Sequence, residues 1–161
     1  MAESLRIFVR PANSSQVEGL AELRQQFWAD QQTKGLLDAT PDCSPAATLK
    51  LIGRPRTHVL VAEDGSGDLK GFLFGQTKLV PGPTPARVSS VEEVYVSADA
   101  RGQRIAASLT EAAVRAFRED GADRIQLRVL HANDGAFAFW GRVGFEPYLT
   151  VFELLAQDAA K

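Results

Sequence analysis

The chain predicts a single α/β domain built on a mixed sheet, and three observations carry that expectation. Short runs with alternating apolar residues are interleaved with longer runs of helical periodicity. Their order is β-α-α-β-β-β-α-β-α-β, which places helices on the faces of a sheet. The run "VEEVYV", the long amphipathic run after it and "RIQLRVL" have the lengths of a strand-helix-strand crossover, so those two strands should be parallel.

"LRIFVRPA" (5–12) reads as a strand ended by Pro11. A helix follows in "NSSQVEGLAELRQQFWADQ". Ser15 and Glu18 are placed to form its capping box, and Val17, Leu20, Leu23, Phe27 and Trp28 recur on one face. "TKGLLDATPDCSP" breaks the helix, and "AATLKLIG" begins a shorter one. "THVLVAEDG" (57–65) and "DLKGFLFGQTKLV" (68–80) read as a hairpin, and "VSSVEEVYVS" (88–97) as the next strand; these three in succession should be antiparallel. The long helix runs from about Gly102 to Asp120, with Ile105, Leu109, Ala112, Ala113, Ala116 and Phe117 on one face and Gly121 placed to end it. "DRIQLRVL" (123–130) is a strand. "NDGAFAFWGRVG" is a short helix capped by Asn133 or Asp134, with Ala136, Phe139, Trp140 and Val143 inward. "FEPYLTVFELL" is the last strand.

With 161 residues, 45% hydrophobic and 24% charged, the chain fits one ordinary soluble domain over its whole length, with a core at about 5–155. A net charge of −2 offers no basic surplus for nucleic acid or an anionic membrane. No run reaches the ~18 apolar residues of a membrane span, and the charged N-terminus does not read as a signal peptide. The single cysteine, Cys43, excludes an intrachain disulfide and fits a cytoplasmic setting; no histidine stands near it in sequence, so it reads as structural. "GSGDLKG" (65–71) imitates a phosphate loop, but its spacing is GxGxxxG and no helix follows, so it reads as the hairpin turn.

The stretch "DARGQRIA" (99–106) sits where a strand hands over to the long helix. Unpaired backbone N–H groups and the helix dipole favour an anion there, and Arg101 and Arg104 add charge. Taken alone, the stretch is equally a solvated turn. Its flanks separate the readings. "VEEVYVSADARGQRIAASL", followed by "RIQLRVLHANDGAFAFWGRVGF", resembles the GNAT superfamily of acyl-CoA-dependent N-acyltransferases. There an acidic, apolar, aromatic strand runs into an RGxGIG/A turn, and a later strand leads to the spacing shown here by Asn133, Ala136, Phe139, Trp140, Gly144 and Phe145.

The resemblance implies a sheet of about six to seven strands with about four helices, and acetyl-CoA held in a gap between a splayed pair of strands. It implies that the backbones of Val94, Tyr95 and Val96 bind the pantetheine arm and that the N–H groups of Arg101, Gly102, Gln103, Arg104, Ile105 and Ala106 hold the pyrophosphate. Asn133 would bond the cofactor, and Phe139 and Trp140 would wall the thioester. The implied activity is direct acetyl transfer to a primary amine of a small molecule (an aminoglycoside, polyamine or amino acid), with no metal, and the family also implies a homodimer. An alkylammonium of pKa near ~10 is about one part in a thousand neutral at pH 7, so a general base matters. Glu92 is favoured for it over Glu93, whose neighbouring position should place it on the opposite strand face. Acidic residues in the first two helical segments (Glu18, Glu22, Asp30, Asp38 and Asp42) are available to attract a cation, though most fit a solvated face.

Two positions depart from the family pattern. Trp140 stands where many members have a tyrosine that protonates the leaving thiolate, and an indole does not ionise usefully. Tyr148 and His131 are the substitutes to consider, each with a packing role as its alternative. Arg104 stands where glycine is usual, which argues against left-handed geometry there; its guanidinium can reach a phosphate or lie in solvent. The missing tyrosine keeps open a catalytically weak CoA-binding regulatory module, and transfer to a protein N-terminus or lysine is a second enzymatic option.

Overall fold

The computed structural model describes residues 6–36 and 39–156. Leu5 and Asp38 lie outside the described residues. Five strands form one sheet in the order β1 (Phe8–Pro11), β2 (Thr57–Glu63), β3 (Leu69–Val80), β4 (Ala86–Val96) and β5 (Arg124–Leu127). The first four are antiparallel, and β4 and β5 are parallel, joined by the expected crossover. Helices α1 (Val17–Thr33) and α2 (Pro45–Ile52) cover one face; α3 (Ile105–Glu119) covers the other, with α4 (Asp134–Arg142) beside it. The family's mixed sheet and four helices are therefore present, with one strand fewer than the sequence pattern suggests. "FEPYLTVFELL" carries strand chemistry, but beyond Phe145 it pairs with no strand among the described residues: Leu149 is 81% and Phe152 93% exposed.

Two apolar layers hold the sheet. Leu20, Leu23 and Phe27 of α1 pack on Val59, Val61, Phe72 and Phe74. On the other face Ile105, Leu109, Ala113 and Phe117 of α3 pack on Leu60, Leu73 and Val91, with Trp140 joining from α4. Gly75 makes the second layer possible, because a Cβ there would stand 2.4 Å from the Phe117 ring and 2.7 Å from the Ser90 carbonyl. Val143, expected inside, is 37% exposed at the end of α4.

The local turn and cap signals hold in type, with the capping box displaced by two residues. The capping box lies at Asn13 and Gln16, ahead of the expected pair. Asn13 Oδ1 accepts from Ser15 N (2.9 Å) and Gln16 Oε1 from Asn13 N (3.0 Å), at a short 3-10 turn leading into α1. The glycine-rich "GSGDLKG" is a turn: Asp64 Oδ1 accepts from the N–H groups of Ser66 and Asp68, and Gly67 takes a positive φ of 91°.

A polar knot ties the far end of α3 to the sheet. Asp120 Oδ2 accepts from His58 Nε2 and from Thr77 Oγ1, both at 2.8 Å, and Thr77 in turn bonds the buried Ser89 (2.7 Å). Burial pushes the Asp120 carboxyl up, but its bonds to His58 and Thr77 and the nearby His58 and Arg56 charges outweigh this and hold it below its ordinary value. A depressed folded pKa stabilises above the unfolded value of about 3.9 and loses that contribution as pH falls through the folded one. Asp120→Asn should therefore cost about 1–3 kcal/mol near neutral pH, and the deficit should shrink in urea melts taken below about pH 4. A deficit constant down to acid pH would exclude the charge as its source.

Candidate active site

The site begins with a change of partner along β4. Val88–Val91 pair with Arg124–Leu127 of β5, and there the ladder stops. Val94, Tyr95 and Val96 keep their β3 partners, Leu73, Phe72 and Gly71, but have none from β5 on their other edge. The two strands part, and a cleft of about 420 Å³ opens between them. Val94, Tyr95, Val96, Leu127 and Val129 line its strand walls. Asn133, Ala136, Phe139 and Trp140 close it from α4, and Arg101 and Ala106 stand at the mouth of α3.

The divergence coincides with a β-bulge. Phe74 faces Glu93, and the next β3 residue, Gly75, faces Val91, so Glu92 is an extra residue in β4. A bulge breaks the strict alternation of faces. Val91 and Val94 both join the α3 layer although they are three residues apart. Glu92 and Glu93 consequently do not lie on opposite faces, as alternation had suggested. Glu92 bonds Gln76, two residues along β3 from Phe74, the partner of Glu93; both acids lie on the α1 side.

Their surroundings nevertheless separate them. Glu93 is 3% exposed and locked by Arg24: Nε and Nη2 each reach a carboxylate oxygen at 2.8 Å, and Trp28 Nε1 adds a third bond at 3.1 Å. Arg24 is itself buried and spends Nη1 on Thr48 Oγ1 (3.1 Å). Glu93 is thus committed to three donors and does not line the cleft. Glu92 lines the cleft, half-buried, held by Gln76 Nε2 at 3.0 Å and by the Ser90 hydroxyl. Burial pushes its carboxyl up. The Ser90 and Gln76 bonds and the Lys78 and Arg128 charges outweigh that, so it sits below its ordinary value and is ionised throughout the neutral range.

The turn into α3 is built unlike the starts of α2 and α4. Asn13, Ser44 and Asn133 supply side-chain caps elsewhere. No side chain caps α3, and its first backbone bond runs from Ser108 N to Arg104 O (3.0 Å). The N–H groups of Arg104, Ile105, Ala106 and Ala107 are left without a backbone partner. Gly102 has a φ of 82° with open space where a Cβ would point. Helix α3 starts at Ile105, three residues later than the sequence suggests, because Arg104 takes φ 59°, ψ 20°, the left-handed region. The expectation that arginine here argues against a need for left-handed geometry is therefore overturned: the turn keeps the shape that glycine would give it and accepts the strain. The Arg104 side chain lies away from the cleft, in an outer groove with Arg115, Arg118 and Arg142, while Ile105 is buried in the core.

Other expected residues fall in mixed places. Asn133 lines the cleft, but its Oδ1 accepts from Ala136 N (3.1 Å) as the α4 cap, leaving the amide nitrogen for a ligand. Phe139 packs edge-on to Trp140 (4.8 Å between centroids), and Phe145 packs on the far side of that indole (5.3 Å). Neither substitute acid reaches the cleft. Tyr148 is 76% exposed, and His131 is exposed against Phe137. Tyr95 is the one tyrosine lining the cleft among the described residues, its ring under the Arg101 guanidinium (5.7 Å). Cys43 is buried, and burial raises its thiol pKa, which keeps it protonated. Phe27, Asp30, Gln31 and Lys34 also line the cleft, without a motif to mark them. The available signal was spacing: they continue the inward stripe of α1 at i, i+3, i+4 and i+7. Of the acidic helix residues singled out, Asp30 is the one that lines the cleft, bonded to Lys34 at 2.7 Å; Asp42 instead accepts from Ser44 N at 2.8 Å. The described residues contain no cluster of three or more metal-ligating side chains and no helix long and apolar enough to cross a membrane.

A left-handed arginine costs about 1–2 kcal/mol. Arg104→Gly should recover on the order of 1 kcal/mol in urea denaturation while Arg104→Ala, which keeps a Cβ, should not. Equal stability of the two variants would contradict the strain.

Comparison with known proteins matches this arrangement. The chain covers 92% of its length on a mutant of the BH1408 protein from Bacillus halodurans, with TM-score 0.80, 21% identity and 98% of that chain covered. An aminoglycoside N-acetyltransferase, AAC(6')-Iy in complex with CoA, aligns over 98% of this chain and 99% of its own, with TM-score 0.75 and 18% identity. The aminoglycoside 6'-N-acetyltransferase AAC(6')-Ih from Acinetobacter baumannii gives TM-score 0.75 and 18% identity over 93% and 97%. At these identities the likeness is one of fold. No curated protein matches the sequence. The model of the acetyltransferase (GNAT) family, however, matches residues 18–145, which span the bulge, the α3 turn and the α4 wall, and the chain belongs to that family.

Proposed function

We propose that the protein is an acetyl-CoA-dependent N-acetyltransferase acting on a primary amine of a small molecule. The observation that carries this reading is the parting of β5 from β4 beside an uncapped helix start. An extended pantetheine arm can bond to the free β4 edge at Val94–Val96 as an added strand does. Its pyrophosphate then meets the N–H groups from Arg101 to Ala106, of which those of Arg104, Ile105 and Ala106 have no backbone partner, where the dipole favours an anion. Arg104 contributes its backbone to that cradle and not its guanidinium. Phe139 and Trp140 wall the thioester, and the Asn133 amide bonds the cofactor.

In the reaction the amine nitrogen attacks the acetyl carbonyl carbon, a C–N bond forms and the C–S bond breaks. A β4 backbone N–H near Val94 stabilises the oxyanion. Glu92 takes the proton from the ammonium, directly or through a water. Because its pKa is depressed, it is a weak base and a strong ion partner, and it recruits the cation as well as accepting its proton. Asp30 of α1, paired with Lys34 in the same cleft, adds a second carboxylate to it. Glu93, committed to Arg24, sets the position of the bulge and takes no proton. Trp140 supplies no proton to the leaving thiolate; the second N–H proton, lost from the tetrahedral adduct, passes through water to the departing sulfur, and a thiol pKa near ~8.5 makes that group leave acceptably near neutral pH. The neighbours named for aminoglycosides support a polyamine-sized or aminoglycoside-sized substrate class. A homodimer acting in the cytoplasm completes the proposal.

Incubation with acetyl-CoA and a panel of aminoglycosides, polyamines and amino acids should release free thiol with at least one amine. Glu92→Gln should lower kcat by about a hundredfold or more. The rise in rate with pH set by the amine should persist in that variant, because the Glu92 limb lies below the ordinary carboxylate range. Saturable CoA binding with no thiol release from any amine would favour the regulatory module. Release with protein N-termini or lysines alone would move the acceptor class. An unchanged kcat in Glu92→Gln would remove Glu92 as base.

A further inference from the structure

Val91 and Leu127 are the last pair of the β4–β5 ladder, and the residues next after them are Glu92 and Arg128. One carboxylate and one guanidinium therefore stand on the two strands where these part, and both line the cleft. Paired strands lie about 4.8 Å apart, yet Glu92 and Arg128 form no ion pair with each other. Glu92 is held back on one side: Gln76 Nε2 and the Ser90 hydroxyl both donate to Oε1, while Oε2 has no partner among the described residues. Arg128 is exposed, and among the described residues its guanidinium meets no carboxylate. Its charge, with that of exposed Lys78 on β3, nevertheless acts on Glu92.

We infer, resting on the acetyltransferase reading, that the acceptor is an amino acid: its ammonium meets Glu92 Oε2 and its carboxylate meets the Arg128 guanidinium. The size class given above leaves the acceptor's charge open, and these two side chains decide it. A guanidinium fork matches a carboxylate with two parallel bonds. A zwitterion with both groups on one small carbon frame bridges the gap between Glu92 and Arg128 and answers each. The other charges of the cleft are already answered or lie elsewhere. Asp30 and Lys34 are bonded to each other at 2.7 Å. Arg101 stands over the Tyr95 ring at the mouth of α3, on the side proposed for the phosphates.

The same charges act against the other acceptor classes. A polyamine or an aminoglycoside satisfies Glu92 with one ammonium and brings further ammoniums toward Arg128 and Lys78, where like charge repels them. A peptide N-terminus places a neutral amide where the guanidinium needs an anion. Transfer to the amino acid converts its ammonium into an N-acetyl amide and releases the CoA thiol. Of the two protons the nitrogen loses, one leaves through Glu92 to solvent and the other goes to the sulfur. The product retains its carboxylate and no cation, so Glu92 loses its hold on it and product release is favoured.

Matched triplets test this in the full chain: alanine, leucine and phenylalanine, each beside its carboxamide and its decarboxylated amine, with acetyl-CoA and thiol release as the readout. A carboxamide's amine has a pKa nearer ~8 and holds more free base at neutral pH, so chemistry alone favours it over the acid. The acid of at least one triplet should nevertheless exceed its carboxamide and its amine in kcat/KM by about tenfold or more. Arg128→Met should remove that preference, chiefly through KM, and Arg128→Lys should restore part of it. Arg128 is exposed, so circular dichroism should show the fold retained. Carboxamides or amines used as well as the acids would overturn the inference while leaving the transferase standing. So would spermidine or neamine outrunning every amino acid, or a preference unchanged in Arg128→Met. If no amine releases thiol, the transferase reading fails, and calorimetry of the same amino acids with the CoA-loaded protein decides the site. Saturable binding lost in Arg128→Met supports it, and no binding overturns it.

Discussion

The extra residue in β4 is the constraint on which the site depends, and the buried Arg24–Glu93 pair holds it in place. Two charges removed from water cost several kcal/mol each, and only complete bonding offsets this. Here the bonding is complete: both carboxylate oxygens, the guanidinium, the Thr48 hydroxyl and the Trp28 indole are all engaged. Among the described residues no buried side-chain polar atom lacks a partner. Removing Arg24 alone would leave a buried carboxylate unpaired, a change that typically costs about 3–5 kcal/mol. The pair thus clamps α1 to β4 at the bulge, and α1 brings Phe27, Asp30, Gln31 and Lys34 to the cleft on the same rigid rod.

From that clamp the division of labour between adjacent acids follows. Glu93 lies deeper and is saturated; Glu92 is shallower, supported by neutral donors from Gln76 and Ser90, and open to the cleft. Two identical side chains at neighbouring positions acquire different chemistry because the bulge turns both toward α1 at different depths. On the opposite wall the chemistry is that of an unfinished helix. Its first N–H groups stand at the cleft mouth, where Ala106 lines the wall, and among the described residues no backbone group accepts from them.

Much of this is legible in the sequence where spacing carries it. The crossover, the "RGQRIA" turn and the Asn133-to-Phe145 spacing each place backbone before side chains, and the cleft forms where they meet. What is not legible depends on a count or on a conformation. Period-two reasoning assigns Glu92 and Glu93 to opposite faces, and one bulged residue, invisible in composition, overturns it. Arg24 sits in an apolar stripe and looks like a solvated charge until Glu93 meets it across 69 positions. Arg104 violates residue preference and keeps the turn shape, since tertiary packing of Ile105 and Ala100 outweighs a local cost of about 1–2 kcal/mol. The C-terminal run is rich in strand-forming residues, yet a strand needs a partner, and among the described residues it pairs with none.

The left-handed Arg104 has a consequence for the order in which energy is spent. Were the turn relaxed in the free protein, each arriving anion would have to drive it into shape, and part of the binding energy would be lost in doing so. Here the conformation is fixed when the chain folds, and the four N–H groups stand without a backbone partner. An anion therefore displaces solvent from donors that are already aimed. The strain is met once in the lifetime of the molecule, and every encounter afterward begins from a formed cradle.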